Sequence, residues 1–177
     1  MLIAVLCVGC DSDLGMDAAL ALRQQLQKGG CEFVVRITAD YGDLLHVFDM
    51  KCTVDQEGKL LFTVINPKSI EGITGVIDGD GGQLTFDDSV LAFKLLADGL
   101  LTPVSAPWVF IRTLKAGYIH ASTKTDNGTK LIIHDTYEED SLQLDIWLDT
   151  EDTPVAAEIL WQGRRILSMT ITNFSLL

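Results

Sequence analysis

Leu142-Gln143-Leu144-Asp145-Ile146-Trp147-Leu148-Asp149 alternates apolar and polar residues with a period of two. Leu142, Leu144, Ile146 and Leu148 fall on one face and Gln143, Asp145 and Asp149 on the other, the pattern of a strand with one buried side. Trp147 is the exception on the outer face. Working outward, the loop Thr150 to Pro154 ends that strand, and Val155, Ala157, Ile159 and Trp161 alternate again. Gln162-Gly163 turns the chain, after which Leu167, Met169 and Ile171 continue the pattern. Upstream, Tyr118 to Thr125 and Lys130 to Tyr137 flank Asp126-Asn127-Gly128-Thr129, and Asn-Gly is the strongest short hairpin signal. The last third of the chain therefore reads as consecutive antiparallel strands.

The first half begins with a helix. Met16 to Lys28 carries good helix formers without Pro or internal Gly, with Ala18, Ala19, Leu20, Leu22 and Leu26 as a broad apolar side. Gly29-Gly30 is expected to end it in a left-handed cap. Cys31 to Ala39 and Leu44 to Val54 then form a hairpin across Asp40-Tyr41-Gly42-Asp43. Pairing Ala39 with Leu44 sets Val35 opposite Phe48, Phe33 opposite Met50 and Cys31 opposite Cys52. Lys59 to Asn66 adds a third strand, closed by Pro67, which cannot donate to the ladder.

Asp78-Gly79-Asp80-Gly81-Gly82 superficially resembles a calcium loop, but Gln83 and Ser89 stand where an EF-hand needs Gly and Glu. It reads as a turn between Val76-Ile77 and Leu84-Thr85-Phe86, and no metal is expected. Asp87 to Thr102 suits a strand or a helix equally. Beyond it Ser105 is the expected N-cap of a helix through Trp108, Ile111, Arg112 and Lys115 that stops at Gly117. A helix inserted between strands acts as a lid over a sheet's concave face or as plain core cover. The fold class is α+β, mainly β.

Twenty-five acidic against thirteen basic residues give a net charge of −12, which repels phosphate backbones and anionic lipid surfaces. That charge argues against nucleic-acid partners and polybasic membrane docking. His46, His120 and His134 lack metal-ligand spacing, and no Gly-x-Ser-x-Gly elbow, P-loop or dinucleotide fingerprint occurs. The sequence points away from an enzyme, and implies no cofactor.

Cys7-Val8-Gly9-Cys10 followed by Asp11-Ser12-Asp13 resembles the end of a bacterial lipoprotein signal, although Cys7 stands where Leu is usual and no Lys or Arg precedes the apolar run. On this reading residues 1–10 are a residual signal whose start lies upstream, and Cys10 is the site of lipid attachment. An apolar strand or buried tail is the other reading. Residues 11–177 are then a single domain, large enough for a real core.

The element order, the lipobox-like start at Cys10, the N-terminal helix and the strand Phe62-Thr63-Val64-Ile65-Asn66-Pro67 together resemble bacterial lipoprotein carriers of the LolA, LolB and LppX type, and the GerS-like lipoproteins of sporeforming bacteria. Gly81-Gly82-Gln83-Leu84-Thr85-Phe86, Ile146-Trp147-Leu148-Asp149, Thr153-Pro154, Ile159 and Ile171 to Phe174 extend the likeness over nearly the whole chain. The resemblance implies a strongly curved antiparallel sheet, a half-barrel, whose hollow is covered by the N-terminal and inserted helices. It implies an extracytoplasmic, membrane-anchored protein that holds lipid or lipoprotein acyl chains in the hollow. The GerS-like alternative is an anchored interaction module that regulates or stabilises an envelope or spore-cortex enzyme. A homodimer formed by exchanging the first helix is compatible with either.

Three expectations about particular residues follow. Cys10 carries the lipid. Cys31 and Cys52, opposed in the hairpin and placed in an oxidising compartment, form a disulfide, with two buried thiols as the competing state. Phe33, Phe48, Met50, Phe62, Trp108 and Ile111 line the hydrophobic pocket.

Overall fold

The computed structural model describes residues 12–78, 85–86, 101–138 and 141–177. The described strands form one ten-stranded sheet: β1 (Cys31–Asp40), β2 (Leu45–Val54), β3 (Leu60–Asn66), β4 (Thr74–Ile77), β5 (Thr85–Phe86), β6 (Tyr118–Thr125), β7 (Gly128–His134), β8 (Gln143–Leu148), β9 (Pro154–Trp161) and β10 (Arg164–Leu176). Their order in space is β5-β4-β3-β2-β1-β10-β9-β8-β7-β6. Two antiparallel meanders, β1–β5 and β6–β10, are thus joined where the first and last strands pair. The sheet is curved and unclosed, the half-barrel that the resemblance implies.

Alternation fixes which face is inside. Cys31, Phe33, Val35, Ile37 and Ala39 of β1 are buried, as are Leu144, Ile146 and Leu148 of β8. Register carries this inward set across the sheet: Phe48, Ile37, Met169, Ala157, Ile146 and Leu131 lie in one row over six strands. A slip of one residue on any of these strands would turn its apolar set to water, so burial itself specifies the register.

Two helices, α1 (Ser12–Lys28) and α2 (Ala106–Ala116), cover this face. α1 buries Ala18, Ala19, Leu22 and Leu26, while Leu20, expected on the same side, is 43% exposed. Arg23 binds the helices together: its Nε donates to the Leu114 carbonyl and its guanidinium NH2 to the Gly117 carbonyl, each at 2.8 Å. The last carbonyls of a helix have no partner within the helix, so one side chain of α1 satisfies what the end of α2 leaves open.

Three local expectations are corrected. The β1–β2 register is two residues longer than the sum assumed from an Ala39–Leu44 pair: Asp40 pairs with Leu45, Val35 with Met50, Phe33 with Cys52 and Cys31 with Val54. The tighter turn, Tyr41 to Leu44 closed by a backbone bond of 3.0 Å, sets this shift. Gly29-Gly30 takes no left-handed cap; a Cβ at Gly29 would collide with the Leu177 carbonyl and one at Gly30 with the Val54 carbonyl. The pair is there for backbone approach between α1, β2 and the C-terminus. Ser105 does not cap α2 with its side chain. Thr102 caps the preceding 3-10 turn Pro103–Ser105, and Ser105 answers as the third residue of that capping box.

Candidate functional site

The helix-covered face of β1–β3 is aromatic. Gly75, Phe62, Cys52 and Phe33 form a cross-strand row, and Phe174 of β10 stacks on Phe33 at 5.9 Å and 27°. Phe174 reaches this side through a bulge: the β1–β10 register shifts between Glu32 and Val34, and Asn173 takes φ +53°. An extra residue in one strand reverses the alternation beyond it, so Phe174 points inward. From the other side Phe110 of α2 meets Phe33 edge-on, with ring centroids 6.1 Å apart. Beneath the Phe62 ring only glycine fits, because a Cβ at position 75 would enter it.

Five of the six expected pocket residues, Phe33, Phe48, Met50, Phe62 and Ile111, are buried in this core. Trp108 is half-buried against it. Trp108 and Ile111 also line a cavity of about 260 Å³ between α2 and the β2–β3 turn, with Arg112, Lys115, Ala116, Glu57 and Gly58. Its rim carries two cations, Arg112 and Lys115, and one carboxylate, Glu57. The Arg112 guanidinium lies 4.6 Å over the Trp108 ring and reaches Asp135 at 3.2 Å. Lys115 Nζ donates to the Gln56 carbonyl at 2.8 Å and has no carboxylate partner among the described residues.

Phe110 and Phe174 are the contributors that sequence reasoning missed. Phe110 sits in the helical stretch Trp108-Val109-Phe110-Ile111, where every position is apolar or aromatic and periodicity does not choose a face. Phe174 has the wrong parity for its strand until the bulge is known.

Cys31 and Cys52 are both free and buried, and they are not opposed in the ladder. Each sits on the inner face, diagonal to the other, with Phe33 between them in sequence and opposite Cys52 in register. The expected directly opposed pair is overturned by the register. Burial pushes the Cys31 thiol up to about 12, against a smaller opposing pull from Lys115. Cys52 is pushed up further by the same cause, with the Cys31 sulfur adding to it. Burial thus favours the protonated thiol at both positions.

Cys10 lies outside the described residues, as do the glycine-rich turn at 79–84 and most of the stretch 87–102. Among the described residues no three His, Cys, Asp or Glu side chains gather as a metal site. No described helix is long and apolar enough to cross a membrane.

No family model matches the chain, and no curated protein does. Solved structures align with it over most of its length. A LolA superfamily protein from Nitrosomonas europaea is 10% identical, over 90% of this chain and 93% of the other, with a TM-score of 0.41. LprF from Mycobacterium bovis is 11% identical over 94% and 95%, with a TM-score of 0.44. A putative outer membrane lipoprotein-sorting protein domain from Vibrio parahaemolyticus is 8% identical over 93% and 92%, with a TM-score of 0.41. The chain also aligns with MucB at 10% identity and a TM-score of 0.47, covering 94% of itself but only 60% of MucB. These likenesses concern the fold.

Proposed function

We propose that this protein is an extracytoplasmic binding module that takes an acyl chain into the helix-covered side of its half-barrel, and that a lipid on Cys10 anchors it to a membrane. The observation that carries the reading is the cavity beside α2, where an apolar wall of Trp108, Ile111 and Ala116 meets the ammonium of Lys115, which is bonded to the Gln56 carbonyl and has no carboxylate partner among the described residues. A fatty acid has that same polarity, an apolar chain ending in an anion. The cavity lies below the roughly 300–1,000 Å³ of drug-sized sites and suits one chain end rather than a whole lipid. Each methylene it removes from water contributes about 0.8 kcal/mol.

The test is a titration with dansyl-undecanoate. Saturable binding is expected, weakened about tenfold in Trp108→Ala and in Lys115→Gln, with the Lys115 effect absent for the uncharged methyl ester. No saturable uptake by the wild type sinks the reading. The anchor is tested separately by fatty-acid labelling of the precursor with its native upstream codons. Equal labelling of wild type and Cys10→Ser would remove Cys10 as the attachment site.

A second reading, an anchored interaction module for an envelope protein, is favoured by a different feature. Leu44, Leu45 and Val47 at the β1–β2 hairpin are each about half exposed or more. Three large apolar side chains together at a hairpin make a docking patch. Loss of a partner's capture in Leu45→Ser with dansyl-undecanoate binding intact would put this reading first.

A further inference from the structure

The outer face of the sheet, opposite the helices, carries a trough of about 500 Å³ over β8, β9 and β10. Its form comes from side-chain size. Trp147, Ala156 and Thr170 lie in one cross-strand row, and Glu158 and Ser168 in the next. On β9 and β10 this row carries only a methyl group and a threonine. Trp147 stands as the wall, and Asn127 of the β6–β7 turn overhangs one end. The volume falls within the range of sites that hold a small organic ligand.

Its lining is mostly apolar, with Asn127, Ser168, Thr170 and Glu158 as the polar groups along it. Lys130 is held by Asp145 at 2.7 Å, and Arg165 by Glu158 at 2.8 Å, so the ionised groups at the margin compensate one another. Among the described residues, the side chains of Asn127, Ser168 and Thr170 make no hydrogen bond to protein. Lys130 Nζ lies 5.0 Å from the centroid of the Trp147 ring. Lys130 faces Trp147 from β7 and Ala156 faces it from β9, and the trough runs from the β6–β7 turn past the indole onto β9 and β10.

We propose that this trough is a binding site for a neutral saccharide. A pyranose ring has one face of C–H groups, which an amphipathic aromatic wall accepts, and a girdle of hydroxyls that donate and accept in equal measure. The amide of Asn127 and the hydroxyls of Ser168 and Thr170 match that girdle. The spare lone pairs of the Glu158 carboxylate add acceptors without adding uncompensated charge. An ionic ligand would have to break one of the two ion pairs to find a partner, and a neutral one does not.

The experiment is calorimetric titration of the whole protein with maltotetraose, cellotetraose and chitotetraose. At least one is expected to bind saturably. Trp147→Ala should weaken that binding at least about tenfold, Ala156→Leu should do so by filling the floor, and Trp147→Phe should stay within about threefold of wild type. Raising sodium chloride from roughly 50 to 500 mM should leave the affinity unchanged, because no net charge is neutralised. Trp108→Ala, in the cavity on the other face, should bind as wild type. Failure of all three sugars to bind overturns the proposal. So does wild-type affinity in both Trp147→Ala and Ala156→Leu, or a steep fall with salt, which would assign the trough to a charged ligand such as an acidic peptide. Trp147→Phe guards the test against a fold lost in the alanine variant.

Discussion

On β8, Leu144, Ile146 and Leu148 turn inward and are at most 2% exposed, while Asp145 and Trp147 turn outward to Lys130. On β1 the same alternation sends Phe33, Val35 and Ile37 inward and Arg36 outward to Asp49. The two faces are held by different physics. The inner face excludes water and gains from area and close packing, so each large side chain there depends on its neighbours. The outer face keeps its cations partly in water over carboxylates that are themselves largely covered, so pairing there is screened from the cation's side and involves few neighbours. Substitutions should therefore separate the faces in size of effect and in response to solvent.

The largest effect is expected at Phe33, which Phe110 and Phe174 contact from two sides. Phe33→Ala should cost about 3–5 kcal/mol, the range for deleting a buried phenyl ring, measured by urea denaturation. A loss under about 1 kcal/mol would mean that the inner face collapses onto the gap, and that its aromatic cluster is loosely packed.

The cysteines give a smaller and chemically distinct effect. With both thiols free, buried and raised in pKa, iodoacetamide at pH of about 8 should leave Cys31 and Cys52 unmodified in the native protein and modify both in urea, read by peptide mapping. Cys52→Ser places a hydroxyl between Phe33 and Phe62, and should cost about 1–3 kcal/mol, the price of an unmet polar group. Rapid native modification of either thiol would show that the inner face opens beneath α2.

The sequence shows the strands clearly wherever one face is wet, because alternation then has two chemistries to contrast. The antiparallel strands were legible on that basis and the two helices through their helix formers and end signals, whereas the curvature of the sheet was an implication of the family resemblance alone. Register was less so. The β1–β2 pairing turned on whether Leu44 belongs to the strand or to the turn, and both choices keep the same residues inward, since a shift of two preserves parity. Hydrophobic pattern cannot distinguish them, yet the choice decides whether Cys31 meets Cys52 or Val54. The bulge at Asn173 was invisible for a related reason: an inserted residue changes parity without leaving a compositional mark, so strict alternation from Ile171 does not bring Phe174 inward. The cavity beside α2 was legible only through Trp108 and Ile111, since its other wall, Glu57 and Gly58, comes from a turn with no apolar signal. The outer trough was announced by one residue, Trp147, which broke the alternation of its own strand.

The smallest effect, and the one that most sharpens the contrast between faces, is expected at Asp49. Arg36 donates to both of its carboxylate oxygens, at 2.8 and 3.0 Å, and Asn66 Nδ2 adds a bond of 2.8 Å. These donors favour the ionised form, and the hydrogen bond from Arg36 is the chief cause that holds the Asp49 carboxyl below its ordinary value. A depressed carboxylate pKa stabilises the folded state above the unfolded value of about 3.9, and that contribution is lost as pH falls through the folded value. Asp49→Asn has no such proton to take up. The urea midpoint of the wild type should therefore fall faster than that of Asp49→Asn between about pH 5 and pH 2, while near neutrality the wild type is the more stable. The gap at neutrality should be modest and should narrow with salt, because the Arg36 side chain is 63% exposed and works through solvent. Parallel acid profiles for the two proteins would show that the Arg36–Asp49–Asn66 cluster adds nothing on folding. A neutral-pH gap as large as that of Phe33→Ala would show instead that the outer face is as cooperative as the inner one.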